Sequence, residues 1–190
     1  NGVVDESTIR AGDTIRVFEV ELFSFFLYAT DVVRELDAPD PLLGKVGEYT
    51  TSVFSSVNVG PDGEAGTVDD FVYDGVMINP SQPLKPETAY VVIVTNDVRS
   101  PDGSRAKYDL IYGVSKGTQP LIDENGHTVV QYVEGATGSL GDEQAAALEP
   151  LRQINSSFET AISLATGVPT EKIIMSFGFT TQSVSTMLKA

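Results

Sequence analysis

The chain has no cysteine and no tryptophan, one histidine, and only 12 basic residues against 27 acidic ones. Without cysteine there are no disulfides, no thiolate-zinc sites and no cysteine nucleophile. The same absence fits a reducing or an oxidising compartment, so it does not place the protein. One imidazole is too few for the two or three on which catalytic zinc sites usually draw. The shortage of bases leaves a formal net charge of −15. That charge repels phosphate, and disfavours nucleic acid or an anionic membrane surface as a partner. No apolar run approaches the ~20 residues of a membrane-spanning helix. The first residues, Asn1-Gly2-Val3-Val4-Asp5, carry neither an initiator methionine nor a basic stretch followed by an apolar one. The expectation is a mature form or an excised piece whose targeting signal is gone.

What is present is enough for a folded domain. The 190 residues are 41% apolar. A chain of this size buries roughly 70% of its unfolded surface without covalent staples. The acidity is uneven: residues 1–75 hold 15 acids and four bases. Such an excess reads as a solvated face that keeps the protein soluble.

Residues 1–135 read as β-rich. Thr14 to Leu22 is β-branched and aromatic, with Phe18, Val20 and Leu22 on one face at period two. Phe25 to Val33 is a further apolar stretch, ended by the prolines of Asp37-Ala38-Pro39-Asp40-Pro41. Tyr49 to Val59 reads as a strand closed by Gly60-Pro61-Asp62-Gly63. Phe71-Val72-Tyr73 and Val76-Met77-Ile78 read as two short strands around an Asp74-Gly75 hairpin turn. Tyr90 to Thr95 is a β-branched run ending before Pro101-Asp102-Gly103. Tyr108 to Val114 and Thr128 to Val133 are the later strands of this reading. With no helix pattern between them, these strands predict an antiparallel β-sandwich, not a parallel βαβ sheet.

The texture changes near residue 136. Gly135-Ala136-Thr137-Gly138-Ser139 reads as a connection, and Asp142 to Ala165 as helix. Leu148, Leu151, Phe158, Ile162 and Ala165 share one helical face. Pro150 either kinks this helix or starts a second one. Gly167 is the expected C-cap, and Pro169 forbids continuation. Lys172 to Thr180 reads as a final strand, and Ser183 to Leu188 as the start of another helix.

The sharpest local signal is Leu84-Lys85-Pro86-Glu87-Thr88-Ala89-Tyr90-Val91-Val92-Ile93-Val94. It fits a tyrosine corner, in which a tyrosine opening a late strand bonds backbone a few residues upstream. Leu84 then plugs the core edge, and Val92 and Val94 continue the inward face of Tyr90. This predicts an immunoglobulin-like or fibronectin-type sandwich and no chemistry.

Chemical motifs are weak. Gly113-Val114-Ser115-Lys116-Gly117 matches G-x-S-x-G, which needs a strand before the serine and a helix after it. Gly117-Thr118-Gln119-Pro120 offers no helix, and His127, beyond Asp123 and Glu124, follows too closely for a triad partner. Ser115 is therefore read as a strand-end or turn residue and His127 as an exposed turn residue. The acidic stretch Asp62, Glu64, Asp69, Asp70 and Asp74 lacks the EF-hand spacing and reads as a solvated loop. No residue is assigned a catalytic, cofactor-binding or metal-binding role, and no cofactor is expected.

The ordered pieces, namely the corner with Thr95-Asn96-Asp97-Val98, the Pro-Asp-Gly turn, Leu148-Glu149-Pro150-Leu151-Arg152 and Ser176-Phe177-Gly178-Phe179-Thr180-Thr181-Gln182-Ser183, carry a resemblance. The chain resembles the N-terminal domain of bacterial virulence-factor-type extracellular lipases. The resemblance covers Pro83 to Gly103 and Leu148 to Ser183 best, and residues 1–75 least. It implies an immunoglobulin-like sandwich over 1–135 and a helical extension over 136–190, leading toward an α/β-hydrolase domain. It implies a non-catalytic module that stabilises or positions that lipase domain in a secreted or outer-membrane-surface protein. No catalytic position transfers, because the hydrolase part is not in this sequence. The alternatives are a stand-alone extracellular binding or adhesion module, a small serine esterase using Ser115 with His127, and a calcium-dependent module using Asp62, Asp69 and Asp70.

Overall fold

The computed structural model describes residues 4–23, 28–130 and 141–183. It is mainly β, with two antiparallel sheets and a long C-terminal helix. The strands are β1 (Ile15–Leu22), β2 (Ala29–Glu35), β3 (Tyr49–Asn58), β4 (Phe71–Pro80), β5 (Ala89–Thr95) and β6 (Ile173–Thr180). The helices are α1 (Leu110–Ser115) and α2 (Asp142–Thr166). One sheet has the order β2-β1-β5-β6, and β3 pairs with β4 in the other.

The four-stranded sheet is a middle layer, and the strand sequences explain why. In β1, Ile15 and Val17 point to one face and Phe18 and Val20 to the other. In β5, Tyr90 and Val92 alternate with Val91 and Ile93 in the same way. Strands apolar at consecutive positions are buried on both faces. The β3–β4 sheet covers the first face through Tyr49, Val53 and Ile78. Helix α2 covers the second through Phe158 and Ile162. Tyr49 is pinned there: its hydroxyl donates to the Ile15 carbonyl and accepts from Gly12 N–H, both at 2.9 Å. The α2 helix ends at Gly167 in the left-handed conformation (φ 72°), whose N–H donates to the Ser163 carbonyl.

Several local expectations meet the structure differently. Residues 71–80 form one strand, without a turn at Asp74-Gly75. Gly75 lies opposite Phe54 in the ladder, where a Cβ would meet the Phe54 ring at 2.3 Å, so glycine makes room for an aromatic instead of a turn. The chain reverses earlier, through Gly60, Gly63 and Gly66, all at positive φ. Tyr108 to Val114 is not a strand: Asp109 caps a short helix by accepting from Tyr112 N–H at 2.8 Å. A short apolar run does not distinguish the two by pattern. Thr128 makes only an isolated bridge with Ile122, the expected strand continuing from residue 131 outside the described residues. Of the two outcomes expected at Pro150, the second helix does not form: Pro150 lies inside a continuous α2.

The expected connection at 135–139, the start of the Phe25 stretch and the helix from Ser183 also fall, wholly or mostly, outside the described residues. The face of α2 is rotated from expectation. Leu151 and Ala165 are exposed, while Glu149, Arg152, Asn155 and Glu159 are buried beside Ala145, Phe158 and Ile162.

Candidate functional site

The G-x-S-x-G segment lies at a polar junction of α1, α2 and β6. Ser115 is fully buried. Its hydroxyl donates to the Tyr112 carbonyl at 3.2 Å and accepts from Asn155 Nδ2 at 3.0 Å. A serine bonding the carbonyl three residues back in a helix is satisfied locally and has no base beside it. His127 is exposed, with Nδ1 at 3.0 Å from Asp142 Oδ2, and Asp142 pushes the imidazole pKa upward. Asp123 accepts the backbone N–H groups of Asn125 and His127. Ser115 thus serves one local network and Asp123 with His127 another, and the three form no triad.

The same junction holds groups that the sequence did not mark. Glu159 has a side chain 2% exposed. Its Oε1 accepts from the Tyr112 hydroxyl at 2.5 Å, and that hydroxyl lies 2.9 Å from Ser176 Oγ. Lys116 Nζ donates to the carbonyls of Thr170 and Ile173 and lies 3.7 Å from Glu159 Oε2. Burial opposes charge on both partners. It pushes the Glu159 carboxyl up to about 7 and the Lys116 ammonium below its usual range. Burial and the neighbouring carboxyl also raise the Tyr112 phenol. Tyr108, Lys116, Glu159 and Thr170 face a cleft of about 340 Å³.

Beside it, Arg152 forks onto Glu149 at 2.6 and 2.9 Å and donates to the Gly117 carbonyl at 2.9 Å. Glu149 also accepts from Leu121 N–H at 2.8 Å, and Arg152 holds its carboxyl down to about 2. This pair ties residues 117–121 to α2. A bidentate, largely desolvated pair is geometrically specific more than it is stabilising.

At the other end of β6, the Tyr90 hydroxyl accepts from Lys85 N–H at 3.1 Å, the bond expected of the corner. Thr181 closes the same loop: its hydroxyl donates to the Lys85 carbonyl at 2.6 Å and accepts from Thr88 N–H at 3.0 Å. Lys85 Nζ reaches Glu19 at 2.8 Å, and Arg34 joins Glu19 to Glu48.

The acidic loop is self-contained. Asp62 accepts from Glu64 N–H, Asp69 from the Thr67 hydroxyl, and Asp70 from Gly66 N–H. Asp74 accepts from Val4 N–H and the Ser55 hydroxyl, both at 2.6 Å. Among the described residues, no three acids or histidines come together as a metal site.

An apolar surface lies along β6. A groove of about 470 Å³ runs between α2 and β6, lined by Leu22, Leu151, Ile154, Phe158 and Gly178. A second, of about 270 Å³, lies on the opposite face between β6 and the β3–β4 sheet, lined by Val76, Ile78, Leu84, Phe177 and Phe179. Phe177 is 44% exposed and Leu151 41% exposed. The sequence places Leu151 on the apolar face of the helix but has no signal for the second groove, which needs two sheets packed together. No protein-family model, no curated protein and no solved structure matches this chain.

Proposed function

We propose that this chain is an immunoglobulin-like, non-catalytic front module of a secreted or surface-exposed bacterial lipase, which stabilises or positions an α/β-hydrolase domain. The carrying observation is the uncharged apolar surface along β6. Contiguous exposed apolar surface on an otherwise strongly charged protein marks an interaction site. The segments that carry the lipase-module resemblance converge on that surface. Leu151, Ser176 and Gly178 line it, and Thr181 fastens its end to the Lys85–Tyr90 corner. The corner bond of Tyr90 supports the immunoglobulin-like assignment. The fully buried Ser115, with no imidazole among its partners, supports a non-catalytic role.

The test is ester turnover by the purified 190-residue chain on short- and long-chain p-nitrophenyl esters, beside Ser115→Ala. No turnover above buffer is expected. A hydrolase segment joined downstream is expected to lose heat stability when residues 1–190 are removed. Turnover by the 190-residue chain that disappears in Ser115→Ala would overturn the reading and make this chain the hydrolase.

A further inference from the structure

We propose that the free edge of β6 receives a β-strand from a partner, uncharged on both faces, which extends the four-stranded sheet. The inference rests on the module reading and names the contact through which such a module would hold its neighbour.

The two edges of this sheet differ. At one edge, β2 carries Asp31, Arg34 and Glu35 and pairs with β1 through two register shifts. Charges and irregular pairing are the usual protection against strand addition. At the other edge, β6 reads Ile-Ile-Met-Ser-Phe-Gly-Phe-Thr, with no charge and no proline. Its register against β5 is regular from Met175 to Thr180. Among the described residues no strand pairs with its outer side. Lys116, through the carbonyls of Thr170 and Ile173, and the Tyr112 hydroxyl, 2.9 Å from Ser176 Oγ, cover its first half. Among the described residues, 177–180 therefore remain open, room for a short added strand of about 13 Å.

The grooves specify the occupant. Residues 176, 178 and 180 face α2, and residues 175, 177 and 179 face the β3–β4 sheet. An incoming strand alternates its side chains in the same way, so one set enters each groove. Neither groove has a charged residue in its lining, although the chain holds 39 charged residues in 190. A strand charged on either face would leave a charge desolvated and unpaired. A second copy is disfavoured because each would bring a net charge of −15 to the contact.

The probe is a capped peptide, Lys-Lys-Val-Thr-Val-Tyr-Val-Thr-Lys-Lys, with a control carrying proline in place of its central valine. The chain's amide hydrogen exchange is followed at residues 177–180. Saturating peptide is expected to slow exchange there at least tenfold, and the proline control to leave it unchanged. Phe177→Lys, at a part-exposed position, is expected to abolish the protection while the far-ultraviolet spectrum stays native. Absence of protection, or equal protection by the control, overturns the proposal. So does a dimer of the 190-residue chain that Phe177→Lys dissolves, since a second copy would then own the edge. A chain inactive on esters that fails this peptide test loses the strand proposal alone and keeps the module reading.

Discussion

At the scale of single residues, Glu159 has the most consequence for stability. Its folded carboxyl titrates near 7 against a usual 4.5, because burial disfavours the anion more than Tyr112 and Lys116 favour it. The folded state therefore binds the proton more tightly than the unfolded chain does. The linked stability is fully present below about pH 4.5 and is lost as pH rises through about 7. Glu149 and Glu48, held near 2, act in the opposite sense and lose their contribution only as pH falls through that value. In Glu159→Gln the carboxamide can still accept from Tyr112 but cannot ionise. The expected outcome is a flatter stability profile between pH 4.5 and 7 by urea denaturation. An unchanged slope in the variant would reject Glu159 as its source. None of this was legible in the sequence. A glutamate in a helix is ordinarily solvated, and only the packing of α1 and β6 over position 159 removes its water.

At the scale of elements, β6 and α2 are fitted through one contact. Gly178 faces Phe158, and a Cβ there would lie 2.8 Å from the ring's Cζ and 3.4 Å from the Tyr90 carbonyl oxygen. Gly178→Ala is expected to destabilise by about 1–3 kcal/mol, the usual cost of overpacking a tight core. A shift of the denaturant midpoint at constant slope would measure it, and an unshifted midpoint would mean that α2 yields freely. The strands were read well where periodicity was strong: β1, β3 and β5 lie within two residues of their expected ends at each side. Reading failed where local signals compete. Asp74-Gly75 carries turn chemistry, yet the Phe54 ring claims that glycine's space. Tyr108 to Val114 is apolar enough for a strand, yet the Asp109 cap turns it into a helix. The rotated face of α2 was missed because Glu149, Arg152 and Glu159 are polar residues buried only by virtue of their partners.

At the scale of the whole molecule, the C-terminal segment completes the fold. Strand β6 pairs with β5, and α2 covers Phe18, Val20, Val91 and Ile93. Each such side chain is worth about 1.5–3 kcal/mol when fully buried. Their joint exposure is comparable to the ~5–15 kcal/mol net stability of a domain. Deleting residues 136–190 is therefore expected to give a chain that aggregates and lacks a cooperative thermal transition. Light scattering and calorimetry check this, and a truncated chain that stays monomeric and equally heat-stable would refute it. By itself the sequence determined the antiparallel β character, the Tyr90 corner, the long helix with its Gly167 stop, and the absence of disulfides that follows from missing cysteine. Those features follow from periodicity, capping and composition, which act over a few residues. Only the tertiary structure decided that Ser115 is buried apart from His127, that Glu159 is desolvated, and that β6 presents an uncharged edge between two grooves. Each of these depends on which distant segments meet, and that is set by the layering of two sheets and a helix.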